Sequence, residues 1–224
     1  MQLIKRWNHE IIRKINKMDE QVLTPGILNN RAEHRFTEVI NSFKRTFKDK
    51  YIMLCKEFCS CKFKVSGLKY DLPIKCSYEL KNMLLGRNYD LRIEIDVPLD
   101  MITGIVPEID AFDIDVKYKG VLKPNGAKFN VNKGGIFAKK LSDNLNIQFI
   151  LDRIFRLNAL ALFVRYNSGE KKISILIESL KGSSTWCLIP PIFQLIPLKE
   201  QDCIDIVEIS QLMAHAIKKT IINK

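Results

Sequence analysis

The chain lacks the short motifs by which many enzymes are recognised. Its 224 residues contain no Gly-x-x-x-x-Gly-Lys-Ser/Thr loop, no Gly-x-Gly-x-x-Gly fingerprint and no Gly-x-Ser-x-Gly elbow. The histidines His9, His34 and His215 are isolated, and Arg13 stands where a zinc-protease helix needs its second histidine. Motifs therefore give no support to an enzyme, and we predict a binding or interaction protein without a cofactor.

Long apolar runs are also missing. The most apolar stretch, residues 186–198, is too short to span a bilayer and is interrupted by three prolines and a glutamine. Residues 1–7 contain no apolar signal-peptide core. From these two absences we expect a soluble, cytoplasmic protein with no membrane span.

Cysteine pairs with the spacing of a zinc site are absent. Cys55, Cys59 and Cys61 lie close in sequence but form no Cys-x-x-Cys pair, whereas structural zinc usually has four ligands. Disulfides are rare in cytoplasmic proteins. We therefore expect all six cysteines to be free thiols, with this group packed at a helix-to-strand junction and no metal bound.

Acidic and basic residues are unevenly distributed along the sequence. The whole chain carries a formal charge of +11, and its 89–116 segment, with eight acids and one arginine, is the acidic exception. Residues 117–141 contain seven lysines and no acid. Such a balance is compatible with weak binding to nucleic acid or to an anionic surface, and also with a compositional preference for lysine.

The N-terminal residues have the pattern of a basic amphipathic helix. Apolar residues, among them Leu3, Trp7 and Ile11, recur at helical spacing in 3–18, and Pro25 and Gly26 end the pattern. The predicted arm, residues 1–24, has four alternative roles: packing on its own domain, docking on a partner, exchange in a homodimer, or lying on an anionic membrane. The candidate anion-binding residues are Lys5, Arg6, Arg13, Lys14, Lys17, Lys139 and Lys140.

Hydrophobic periodicity predicts an α+β fold with antiparallel sheet. A long helix from about 31 to 58 is followed by alternating strands around 59–65, 74–80, 89–97, 112–118 and 128–131. A helix over 142–157 begins at Ser142, and strands at 160–166, 173–179 and 185–189 precede a C-terminal helix over 199–222. Short turns between strands require antiparallel pairing.

The chain is expected to form one unit over residues 1–224. No low-complexity linker divides it. The order of a helix followed by three strands occurs twice, which suggests a pseudo-repeat with halves 31–133 and 134–224.

One fragment suggests a different function. Asp115-Val116-Lys117 resembles the second half of the PD-(D/E)xK nuclease signature, although Asp/Glu-x-Lys occurs three times here, as often as chance predicts. The resemblance implies that Asp115 would bind Mg²⁺ and that Lys117 would hold a phosphate. Asp96 would supply the second carboxylate from a neighbouring strand.

Three functions thus remain open. The first is a binding protein with a protein partner or a second copy, and the second is a metal-dependent nuclease using Asp96, Asp115 and Lys117. The third is a carrier that holds an apolar ligand between the sheet and the long helix.

Overall fold

The computed structural model describes residues 23–100, 109–119, 126–188 and 191–222, which contain four α-helices and nine strands. The predicted α+β class, with its antiparallel sheet and C-terminal helix, is confirmed. The helices are α1 (Ile27–Phe47), α2 (Ile136–Leu145), α3 (Gln148–Arg156) and α4 (Glu200–Ile222). The strands are β1 (Tyr51–Glu57), β2 (Ser60–Val65), β3 (Ile74–Met83), β4 (Gly86–Pro98), β5 (Phe112–Lys119), β6 (Gly126–Lys133), β7 (Ala159–Tyr166), β8 (Lys172–Cys187) and β9 (Ile192–Leu195).

The nine strands form one antiparallel sheet. Its order is β1-β2-β3-β4-β8-β7-β5-β6, and β9 also pairs with β8. Strand β8 pairs with β4 along its whole length on one side. On the other side it pairs first with β7 and then, from Ser184 to Cys187, with β9. Strand β8 therefore joins the two parts of the sheet. Among the described residues, β1 and β6 end the main strand order, and β9 pairs only with β8.

The helices cover one face of this sheet. Helix α4 packs against the other three helices, and inward side chains of sheet and helices form one apolar core. Side chains that alternate with the core residues point to the other face, which the described helices leave uncovered. The alternation noted in the sequence of β4 and β5 therefore separates a buried face from an open, charged one.

Two arginines tie α3 to α4. Arg156 donates two hydrogen bonds, of 3.0 and 2.7 Å, to the carboxylate of the fully buried Asp205. The Nε of Arg153 donates to Glu208 at 2.7 Å. A buried carboxylate requires such partners, so these pairs fix the position of α3 on the helical layer.

The long predicted helix 31–58 is wrong in its second half. Helix α1 ends at Phe47, and Lys48 has a positive φ of 46°, which breaks the helical backbone. Residues 51–57 then form β1, which pairs with β2 across a tight turn. The sequence misled because Ile52, Met53 and Leu54 are consecutive apolar residues. Such a run fits neither the spacing of a helix face nor the alternation of a strand.

The second half of the chain needs three smaller corrections. The helix predicted over 142–157 is two helices, α2 and α3, and Ser142 lies inside α2 instead of capping its start. The two strands predicted at 173–179 and 185–189 are the single strand β8, which continues through Gly182. Strand β9 was not predicted. The predicted helix over 3–18 lies outside the described residues.

Candidate functional site

The open face of the sheet carries ion pairs in rows across the strands. Lys81 contacts both Asp90, at 2.8 Å, and Glu178, at 3.4 Å. Burial lowers the pKa of Lys81, but its hydrogen bond to Asp90 and the nearby Glu178 outweigh that effect and raise the pKa overall. Burial and the same Glu178 also raise the pKa of Glu79. In these ion pairs, charges of opposite sign on neighbouring strands offset each other on the open face.

The three candidate nuclease residues do not converge. Asp96 on β4 accepts hydrogen bonds from Lys172 and Ser174 on β8. Asp115 lies on β5, and both β8 and β7 separate β4 from β5. Because neighbouring strands are about 4.8 Å apart, the two carboxylates lie on strands about 14 Å apart. The expectation that Asp96 is on a strand next to Asp115 is therefore wrong.

Asp115 and Lys117 do share the open face of β5, as their spacing predicts. Asp115 pairs in register with Phe163 of β7, and Lys117 with Lys128 of β6. Lys117 is exposed, whereas Oδ1 of Asp115 is buried without a hydrogen-bond partner among the described residues. Within the described residues, no group of three or more His, Cys, Asp or Glu side chains is arranged to hold a metal ion.

The six cysteines are all free thiols. Cys59, Cys61, Cys76 and Cys203 are buried, and Cys55 on β1 is exposed. Burial, with the nearby Glu33 carboxylate, raises the pKa of Cys59 to about 12. The group at 55–61 thus lies in a β-hairpin and not at the helix-to-strand junction that the sequence suggested.

Aromatic side chains fill the space between α1 and the sheet. Phe36 meets Tyr78 edge-on with ring centres 5.2 Å apart, and Phe43 meets Phe63 at 4.8 Å. Phe36, Phe43 and Phe63 are fully buried. These contacts occupy the position where the carrier hypothesis places an apolar ligand.

The anion-binding candidates fall in two places. Lys139 and Lys140 are exposed on α2, and Lys139 lines an open groove with Lys128 and the Gly134–Gly135 turn. The candidates Lys5, Arg6, Arg13, Lys14 and Lys17 lie outside the described residues.

Two neighbouring hairpins end in exposed apolar side chains. Leu84, at the β3–β4 turn, is 98% exposed, and Met83, Leu85, Leu188 and Ile192 are exposed beside it. These five side chains form a surface named hereafter the apolar tip. The backbone N–H of Leu188 donates to the carbonyl of Leu85 at 2.9 Å, so the two turns lie against each other.

The close contact of the two hairpins depends on a glycine. Gly86 pairs with Cys187, and a Cβ at Gly86 would lie 2.3 Å from the carbonyl oxygen of Trp186. Any side chain there would push β4 and β8 apart. The apolar tip is therefore a defined surface built on two paired strands.

Basic side chains of α1 and β4 lie next to residues that adjoin the apolar tip. Phe193 of β9 stacks on Tyr89 of β4, with ring centres 5.9 Å apart, and the Tyr89 hydroxyl donates to Asn29 near the start of α1. Arg31 and His34 line a shallow depression beside Phe193. Arg87 lies opposite Trp186 in the same part of the sheet.

The sequence contained a signal for this surface. Three consecutive apolar residues, Met83 to Leu85, occupy a turn that normally favours polar residues. The apolar stretch 186–198 contains Leu188 and Ile192, and its length argues only against a membrane span. Among the described residues, no helix is both long and apolar enough to cross a bilayer.

Comparison with known proteins identifies a family. The family described as "Protein of unknown function (DUF3156)" matches residues 57–217, from the end of β1 into α4. This match spans more than half of the chain, so the protein belongs to that family. No curated protein matches the chain, and neither does any solved structure.

Proposed function

We propose that this DUF3156 protein is a non-enzymatic binding protein that docks on an anionic membrane surface through the apolar tip. The exposure of Leu84, Leu85 and Leu188 on two adjoining turns is the observation that carries this proposal. Contiguous exposed apolar surface in a folded protein marks a protein or membrane interaction site.

The charges around the apolar tip favour a lipid surface as its partner. Arg31 is exposed beside Phe193, and Arg87 is half-buried next to Gly86; among the described residues no carboxylate forms an ion pair with either. Apolar groups near cations that have no carboxylate partner in the described part of the chain match the boundary between acyl chains and anionic headgroups.

The N-terminal arm supports the same partner. The arm, residues 1–24, is predicted from its sequence to be a basic amphipathic helix with one tryptophan. In sequence the arm precedes Ile27, the first residue of α1, which is 82% exposed. Ile27 is two residues before Asn29, which accepts the hydrogen bond from Tyr89. A second membrane-binding element would therefore enter at the same end of the molecule as the apolar tip.

Sedimentation with lipid vesicles tests the proposal. We expect the full chain to sediment with vesicles that contain phosphatidylserine and less with pure phosphatidylcholine, and salt should weaken the binding. The double variant Leu84→Glu/Leu188→Glu should bind at least about tenfold more weakly, because each inserted leucine contributes about 1.5–3 kcal/mol.

Leu160→Glu is the matched control, since Leu160 is 50% exposed on β7, outside the apolar tip. It should bind vesicles like the unmodified chain. Equal binding by the double variant would contradict the proposal. Failure of the unmodified chain to bind either kind of vesicle would also contradict the proposal. If the double variant then loses self-association, the tip is a contact between two copies.

A further inference from the structure

A row of paired residues lies just behind the apolar tip. Arg87, Trp186 and Phe193 are opposite one another on β4, β8 and β9. The bond between Leu85 and Leu188 is two residues further along the strands, so at about 3.3 Å per residue it lies about 7 Å from this row. The headgroup region of a leaflet is about 5–8 Å thick. With the leucines of the apolar tip at the acyl chains, the row therefore lies at the level of the lipid phosphates.

One face of α1 presents three basic side chains beside this row. Arg31, His34 and Arg35 line a depression together with Phe193, because residues three and four positions apart share a helix face. Nη1 of Arg35 donates to both carboxylate oxygens of Glu38, at 3.0 and 3.2 Å. Arg31 is exposed and forms no ion pair with a carboxylate of the described residues. The depression therefore leaves the Arg31 guanidinium available to a ligand.

Arg87 adds a second such guanidinium from the sheet. It lies two residues before Tyr89 on β4, so both side chains are on the helix-covered face. Burial raises the pKa of Tyr89, and the nearby guanidinium of Arg87 partly opposes that rise. The Tyr89 ring stacks on Phe193, and its hydroxyl donates to Asn29 of α1. Arg87 therefore lies at the edge of the depression, and three of the chain's ten arginines are found around it.

The charge of this arginine cluster fits a phosphomonoester. Its three guanidinium groups and the Glu38 carboxylate leave two positive charges. A phosphomonoester carries about −1.5 to −2 charges at pH 7, and the planar guanidinium matches the geometry of its oxygens. Phosphatidylserine instead brings one phosphodiester charge with an ammonium group that the same arginines would repel. Lysines outnumber arginines by 26 to 10 in the chain, so its lysine-rich composition does not explain a cluster of three arginines.

We propose that this depression binds the phosphomonoester headgroup of an anionic lipid, such as phosphatidic acid, while the apolar tip enters the acyl layer. Arg31 and Arg87 donate hydrogen bonds to the phosphate oxygens, and Phe193 forms the apolar wall of the site. This specificity depends on the membrane docking proposed above, because insertion of the tip brings the lipid phosphate to the depth of the arginines.

Sedimentation of the full chain with two kinds of vesicle tests the proposal. Both contain phosphatidylcholine, with phosphatidic acid in one and phosphatidylserine in the other, mixed to equal zeta potential. We expect at least about fivefold tighter binding to phosphatidic acid, because the fork of an arginine forms charge-assisted hydrogen bonds with the phosphate. Arg31→Gln/Arg87→Gln should bind both kinds of vesicle equally. Arg31→Lys keeps the charge but loses the fork, and should retain less than about half of the preference.

Lys44→Gln/Arg45→Gln is the matched control. Both side chains are exposed at the other end of α1, and the variant removes two positive charges, as Arg31→Gln/Arg87→Gln does. It should keep the preference for phosphatidic acid, which a general attraction to anionic surfaces would not explain. Circular dichroism checks the fold of each variant. The proposal is overturned if the unmodified chain shows no preference, if Arg31→Gln/Arg87→Gln keeps it, or if both double variants lose it.

Glycerol 3-phosphate separates a lipid site from a site for a soluble phosphate ester. It carries the same phosphomonoester without acyl chains, so we expect it to bind at least about a hundredfold more weakly than the vesicles. Equally tight binding of this ester, unchanged in Leu84→Glu/Leu188→Glu, would assign the depression to a soluble ligand and overturn the lipid assignment. Vesicle binding that this tip variant loses, with no preference between the two lipids, would refute the headgroup site alone. No binding to either kind of vesicle would refute the membrane docking as well.

Discussion

The two edges of the sheet show how the neighbouring helices protect a strand or leave it open. Helix α2 follows β6 directly and turns back along it, so Ser142 and Asn146 reach the outward groups of Phe129. Helix α1 precedes β1 but lies over the face of the sheet, where Phe43 meets Phe63. It therefore covers the core and leaves the β1 edge exposed.

A glycine makes the protective turn after β6 possible. Gly134 has a φ of 129°, which L side chains rarely adopt. A Cβ there would lie 2.6 Å from Cβ of Ala138 and 2.7 Å from Cβ of Phe112. Only glycine lets α2 begin so close to the sheet that its side chains can cap β6.

Thiol reactivity should show the largest difference between the open edge and the core. Cys55 on β1 is exposed, whereas burial and the nearby Glu33 carboxylate raise the pKa of Cys59 to about 12. The thiolate fraction of Cys59 at pH 8 is therefore about a thousandfold below that of an ordinary cysteine. We expect a maleimide to label the exposed Cys55 much faster than the buried Cys59, as measured by peptide mass spectrometry.

Denaturation provides the control for this labelling. All six cysteines should react once the chain is unfolded without reductant. Fewer reactive thiols would reveal a disulfide or a bound metal, and equal native rates at Cys55 and Cys59 would contradict the burial described here.

Removing the caps of β6 should lower stability by an intermediate amount. In Ser142→Ala/Asn146→Ala the buried N–H and carbonyl of Phe129 lose their partners, and we expect the free energy of unfolding to fall by about 2–4 kcal/mol. Urea denaturation followed by circular dichroism measures this loss. If the uncapped edge becomes available, the variant should also self-associate more than the unmodified chain.

Asn130→Ala is the matched control on the same strand. The Asn130 side chain donates to the carbonyl of Lys128, but this bond is exposed. Its loss should change stability by less than about 0.5 kcal/mol. A similar small effect in the double variant would show that the caps contribute little and that the two edges differ less than proposed.

The smallest effects are expected next to the capped edge, on the open face of β5. Asp115→Ala and Lys117→Ala should each change the free energy of unfolding by no more than about 0.5 kcal/mol, because Lys117 is exposed and no hydrogen bond of Asp115 to the described residues is lost. Incubated with supercoiled plasmid and Mg²⁺ or Mn²⁺, the chain should cause no cleavage. Cleavage that both substitutions abolish would instead establish the nuclease function.

Alternation predicted the interior strands because each has one buried and one open face. In β4, Leu91, Ile93 and Ile95 are fully buried between charged residues, and the sequence shows this directly. At β1 both faces are exposed, so no alternation exists and the helical spacing of Tyr51 and Phe58 misled. Ser142 is a residue type typical of helix N-caps, so the sequence predicts a single helix that begins there. Its hydroxyl bonds to β6 instead, and α2 and α3 are separate helices.

The arrangement of strands could not be predicted from local patterns. Alternation assigns Asp96 and Asp115 to the open face but does not reveal that β8 and β7 come between their strands. The apolar tip likewise depends on the pairing of Gly86 with Cys187, residues that are distant in sequence. Both features follow from long-range pairing, which side-chain periodicity does not encode.

The central position of β8 has a consequence during synthesis of the chain. Strand β4 pairs with β8 from Pro98 with Lys172 to Gly86 with Cys187, residues 74 to 101 positions apart. At about 5–20 residues per second, the ribosome finishes β8 about 4–20 s after β4. During that interval β3 is the only final neighbour of β4 in the sheet that has been synthesised, and the edge of β4 that later pairs with β8 remains open. Nascent chains stalled before residue 172 should therefore be strong ligands for ribosome-associated chaperones, whereas chains stalled beyond α4 should release them.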